Sequence, residues 1–168
     1  MFQRCAARDG EEFAVHSNGG DWLISWHSPM TAPEGTPHGA NAFCVTADDE
    51  VVLISNDGER WGWPGGRPKG NETWKQTLRQ EILEEIRAIV IDARLLGFCR
   101  GACLMGPEKG RALVRSVWRA EVELLKWEPR FEIPHRQVVP AADLLSHLWM
   151  EEGFAPIYYR ALKEAGLT

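Results

Sequence analysis

The chain has 168 residues, 44% of them hydrophobic and 26% charged, with a formal net charge of −5. That length and ordinary globular composition fit one domain, so residues 1–168 are expected to form a single folding unit. The acidic balance excludes the broad basic footprint that duplex nucleic acid needs, and no apolar run approaches the roughly 18 residues of a membrane span. The N-terminus also lacks a signal-peptide core, so a cytoplasmic protein without membrane contact is expected.

In chain order, residues 21–27 (DWLISWH) alternate apolar and polar side chains and predict a strand. Ser28 to Gly39, with three prolines and two glycines, predicts turns. Residues 40–47 (ANAFCVTA) and 51–55 (VVLIS) predict two strands joined by the acidic turn Asp48-Asp49-Glu50. A loop rich in glycine and tryptophan then runs from Asp57 to Glu72. Thr73-Trp74-Lys75-Gln76 matches a capping box, and a helix is expected from there to about Arg87. Residues 89–91, 94–103 and 111–125 are strand material, with the hairpin-turn composition GPEKG at 106–110. A short edge strand is expected at Val138–Val139, followed by helices over 143–149 and 156–165. Strands, one central helix, more strands and then helices predict an α/β protein of the α+β type, a mixed sheet with helices against it.

Cys5, Cys44, Cys99 and Cys103 offer no paired half-sites for zinc, so buried, reduced, non-catalytic thiols are expected. Most of the eight tryptophans are expected to fill the core.

The informative segment is the helix at 73–87. At 100° per residue, Trp74, Leu78, Ile82 and Ile86 form an apolar stripe about 120° wide. Glu85 falls inside that stripe, Glu81 beside it, and Glu84 further round on the same side. Like charges at this spacing repel, and a carboxylate among apolar neighbours is costly unless something pairs with it. A divalent cation answers both costs, and an oxygen-only donor set suits Mg²⁺ or Mn²⁺. The alternative is a solvated acidic face paired with surface lysines and arginines. Ahead of the helix, Pro64-Gly65-Gly66 allows close approach of the backbone to a ligand.

From Gly66 to Ala88 the chain resembles the Nudix signature. That signature reads Gly, five residues, Glu, seven residues, Arg-Glu, an apolar residue, any residue, Glu-Glu, any residue, Gly, an apolar residue. Gly66, Glu72, Glu81, Ile82, Glu84 and Glu85 match it without a gap. Chance agreement at those six fixed positions has a probability on the order of 10⁻⁴. WPGG ahead of the box, and Glu132-Ile133, Val138-Val139-Pro140 and Asp143-Leu144 after it, are also similar to the family. Two positions depart. Gln80 stands where the family has Arg, keeping a donor without the charge, and Arg87 stands where it has Gly. If Arg87 adopts the left-handed exit that Gly allows, the cost is about 1–2 kcal/mol.

The resemblance implies a hydrolase that cleaves a phosphate anhydride in a nucleoside diphosphate linked to another group, by attack of water at phosphorus. It implies that Glu81, Glu84 and Glu85 bind Mg²⁺ or Mn²⁺ and carry catalysis, with Gly65, Gly66 and Arg67 against the substrate. Glu132 is a candidate proton acceptor, and Glu72 is expected to organise the loop and the helix start. Lys69 could meet phosphate; Trp26, Trp61 and Phe131 could frame a substrate or serve the fold. Gln80 is expected to point to the far side of the helix, where an arginine would reach back to Glu72. The expected partner is a small nucleotide-type molecule, and relatives are frequently homodimers. The alternative from a different class is a Nudix-fold module that binds a nucleotide or serves regulation without hydrolysis, which the departures at Gln80 and Arg87 favour.

Overall fold

In the computed structural model, residues 5–129 and 133–168 are described. Among the described residues there are eight strands: β1 (Glu12–Ser17), β2 (Gly20–His27), β3 (Thr36–Val45), β4 (Glu50–Ser55), β5 (Gly65–Gly66), β6 (Ala88–Met105), β7 (Ala112–Leu124) and β8 (His135–Pro140). The helices are α1 (Trp74–Ile86), α2 (Leu144–His147) and α3 (Ala155–Glu164). Hydrogen-bonded neighbours follow the order β1-β2-β6-β7-β3-β4-β8, with β5 on β3. This is the mixed sheet with helices that the element order predicts.

The chain divides into two compact units, one of Met1–His38, Leu96–Val117 and Met150–Thr168, the other of Gly39–Leu95 and Trp118–Trp149. In the first, β1 and β2 form a hairpin closed by Asn18 and Gly19, whose φ values of 50° and 73° give the turn that matches strand twist. β1 was not expected from the sequence, although Asn-Gly between two alternating runs is its signal. Trp26 lies fully buried, beneath the Arg160 guanidinium at 5.9 Å from its ring, so it frames no substrate. Arg160 also bonds the Ala7 carbonyl at 3.0 Å and Asp9 at 2.8 Å, tying α3 to the N-terminal segment.

The second unit is built around α1. Leu78, Ile82 and Ile86 are fully buried against Ala40, Ala42 and Cys44 of β3 and Val52 and Ile54 of β4. Ala88 and Val90 of β6 and Trp118, Ala120 and Val122 of β7 complete this cluster. Each strand contributes alternate residues, as the period of two requires. Burying each of the three helix side chains stabilises by about 1.5–3 kcal/mol. The intervening residues Phe43, Val45, Val51 and Leu53 are buried too, which explains why β3 and β4 read as nearly continuous apolar runs.

Several boundaries differ from expectation. β3 begins at Thr36, inside the proline-rich stretch, and residues 89–91 and 94–103 belong to one long strand. The helix expected over 143–149 shortens to a 3-10 turn at Ala141–Asp143 followed by Leu144–His147. Cys44 and Cys103 are buried free thiols, whereas Cys5 is exposed and Cys99 only half-buried, against the expectation for all four. Of the tryptophans, Trp26 and Trp118 are buried and Trp149 is exposed.

Candidate active site

The loop and the helix start are fastened locally. Thr73 Oγ1 accepts from the Gln76 amide at 3.1 Å while Gln76 Oε1 accepts from the Thr73 amide at 2.9 Å, completing the expected capping box. Glu72 Oε2 accepts from Thr77 Oγ1 at 2.9 Å and from the Lys69 amide at 3.2 Å. Glu72 therefore ties the loop to the first turn of α1.

One turn further on stand the carboxylates. Glu85 Oε2 accepts the Gly65 amide at 3.2 Å, and the Glu81 and Glu85 side chains are hydrogen-bonded to each other. Such a bond needs a proton between the two oxygens. Burial pushes Glu85 up to about 8, the negative charges of Glu81 and Glu84 add to the effect, and the Gly65 N–H opposes it. Glu81 is raised too, by burial first and by Glu84 second, with Lys69 acting the other way. Gln80 Nε2 donates to Glu84 Oε1 across one helical turn. Gln80 is exposed, on the side of the helix away from the apolar stripe as expected, and there it meets Glu84. The pair is separated by only about 40° on the wheel, so the contact was open to sequence reasoning.

Gly65 is needed for space, and Gly66 lies tight against the Glu81 side chain. They pair with Asn41 and Ala40 of β3. A Cβ on Gly66 would overlap Cγ and Cδ of Glu81, and one on Gly65 would overlap the Ala40 carbonyl and the Asn41 amide. The backbone of β5 is thereby pressed between β3 and the acidic edge of α1. Arg67 is exposed on the loop, and Phe131 and Glu132 lie outside the described residues.

The far end of α1 is held differently. Arg87 takes the left-handed conformation, φ 54° and ψ 60°, where glycine was expected from the resemblance. Its Nε is buried without a hydrogen-bond partner, and its NH2 stands 3.9 Å from Glu128. Arg136 of β8 supplies what the local sequence does not. One guanidinium nitrogen donates to the carbonyls of Ile86 at 2.8 Å, Leu125 at 3.1 Å and Arg87 at 3.4 Å. The guanidinium lies 5.1 Å from the Trp127 ring, and desolvation lowers its pKa. A cation on the last carbonyls of a helix also meets the negative end of its dipole. Sequence reasoning missed Arg136. Its signal is a cation in phase with Val138 on β8, opposite Ile54 in the register, on the face that meets the core.

No family model matches this chain, and no curated protein matches it. Solved structures do. The Bacillus subtilis pyrophosphohydrolase BsRppH is similar at a TM-score of 0.65 and 16% identity, over 93% of this chain and 96% of that one. A MutT mutator protein from Bacillus halodurans gives 0.56 at 18% identity, over 72% and 78%. The Nudix domain of Shewanella oneidensis NrtR, solved with ADP-ribose, gives 0.51 at 16%, over 82% and 92%. At those identities the likeness is one of fold, and the fold is that of the Nudix proteins.

Proposed function

We propose that this chain is a Nudix-type pyrophosphohydrolase, cleaving a phosphate anhydride in a nucleoside diphosphate linked to another group. The observation that carries the reading is the Glu81–Glu85 pair, two half-buried carboxylates held together beside the glycine backbone of β5 in a chain with this fold.

The donor set fits a hard divalent cation. Two carboxylates that must share a proton when no cation is bound are an incompletely compensated negative charge, and oxygen donors suit Mg²⁺ or Mn²⁺. Glu81 and Glu85 would hold it, joined by Glu84. Among the described residues no three His, Cys, Asp or Glu side chains are already arranged around a common point, and Glu84 accepts from Gln80. Releasing Glu84 from an exposed hydrogen bond costs about 1 kcal/mol, small against the charge it would meet. A bound cation supplies Lewis-acid polarisation of phosphoryl oxygens and a more acidic water. The residues of the chain do the rest. The loop backbone at Gly65 and Gly66 keeps side chains out of the way of a diphosphate, and Arg67 and Lys69 offer it positive charge. Loss of the shared proton from Glu85 frees a carboxylate to orient or deprotonate water.

The test is phosphate release by purified protein against a nucleotide panel, with Mg²⁺, with Mn²⁺ and with chelator. Turnover that requires the metal supports the reading. Metal-dependent turnover that survives both Glu81→Gln and Glu85→Gln would sink the site assignment. The contact of Gln80 with Glu84 favours a second reading, a module that binds a nucleotide without hydrolysing it. Saturable nucleotide binding with no turnover under any metal would select that one.

A further inference from the structure

We propose that Arg136 is a positioning residue for the acidic cluster, setting the orientation of Glu85 through the end of α1. This rests on the reading of Glu81, Glu84 and Glu85 as a cation site. The carbonyl that Arg136 holds most closely, at 2.8 Å, belongs to Ile86, the residue after Glu85. The same nitrogen reaches the carbonyls of Arg87 and of Leu125, and the Leu125 amide donates to the Arg87 carbonyl at 2.8 Å. The last turn of α1, the chain leaving β7 and strand β8 are therefore joined at one guanidinium. Nothing local does this, since α1 carries no basic residue in its last turn and leaves through a strained, non-glycine residue. A helix end free to fray would let the backbone at Glu85 rotate, and a cation site tolerates little displacement of its ligands.

The burial of Arg136 is consistent with that role. Its guanidinium is partly desolvated, stacked over Trp127, and placed on the α1 side of β8 with Val138. A cation introduced there only for solubility would point the other way.

The experiment uses the full chain and Mn²⁺ alone, with binding read from the free-Mn²⁺ electron paramagnetic resonance signal. Arg136→Met is expected to weaken Mn²⁺ binding about tenfold, the lower end of what supporting residues contribute around metals. Arg136→Lys reaches fewer of the three carbonyls and should lose about threefold; it decides the matter if the methionine variant does not fold. Arg160→Met, which removes a comparable arginine network in the other unit, controls for lost stability and should bind as the wild type does. Wild-type affinity in the deciding variant, or an equal loss in Arg160→Met, overturns the positioning role. Failure of the wild-type protein to bind Mn²⁺ at all is a different result: it removes the cation-site reading, and this proposal falls with it.

Discussion

The two ends of α1 solve the same problem by opposite means. At its start, Thr73, Gln76, Glu72 and Thr77 satisfy the free amides and anchor the loop, with every partner within five residues. At its finish, the free carbonyls are met by Arg136, some fifty positions away along the chain. A local cap forms with the helix itself. A remote one forms only when β8 docks, so the carboxylates nearest the finish depend on tertiary structure that those nearest the start do not.

The largest effect is expected between the two ends. Glu85→Gln should lower metal-dependent phosphate release by about 100-fold or more, because it removes both a ligand charge and a titrating oxygen. Steady-state rates at saturating Mg²⁺ measure it.

The same residue gives a pH signature in metal-free protein. Folded Glu85 holds its proton up to about 8, whereas an unfolded glutamate releases it near 4.5. Between those values the folded state binds more protons than the unfolded one, so stability must fall as pH rises through the window. Melting temperature without metal should decline from about pH 5 to pH 8, and Glu85→Gln should flatten the decline. A profile of equal slope in both proteins would remove the shared proton.

The helix ends come next. Arg136→Met should cost about 2 kcal/mol, since it strips several partly buried carbonyls of a charged donor, and denaturant titration reads the loss. Thr73→Ala should cost about 1 kcal/mol, the usual worth of a side-chain cap. Equal losses at the two ends would dissolve the contrast between them. The smallest effect has the opposite sign. Arg87→Gly should raise stability by about 0.5–1 kcal/mol, because it removes the left-handed strain and a buried nitrogen without a partner, partly offset by chain entropy. Thermal melting of the variant decides whether Glu128, 3.9 Å away, contributes enough to cancel that gain.

What could be read in the sequence follows the same division. The capping box, the buried stripe of Leu78, Ile82 and Ile86, and the nearness of Glu81 to Glu85 depend on spacing within one helix, and all are present. The strands β3 and β4 were visible because burial on both faces leaves long apolar runs. Beyond the helix, legibility fades. Arg136 was invisible because its partners are backbone carbonyls, which carry no sequence identity. Gly65 and Gly66 carry a packing requirement that the sequence does not show, since their hydrogens face β3 and Glu81. The outward direction of Gln80 is legible from its helical position, but its partner there, Glu84 one turn on, is not among the sequence expectations.

The two-residue strand β5 acts as a spacer whose thickness is that of bare backbone. At Gly66 the added carbon would meet only the flexible Glu81 side chain, which can shift. A library built at Gly65 and selected only for folded, soluble protein should return glycine, since every other residue brings a carbon that collides with the Ala40 carbonyl. Recovering glycine there would therefore say nothing about chemistry. Arg67, two positions on and exposed, should scatter freely under the same selection and narrow only when survival is made to depend on turnover. Neighbouring positions would then separate what the architecture demands from what a substrate demands.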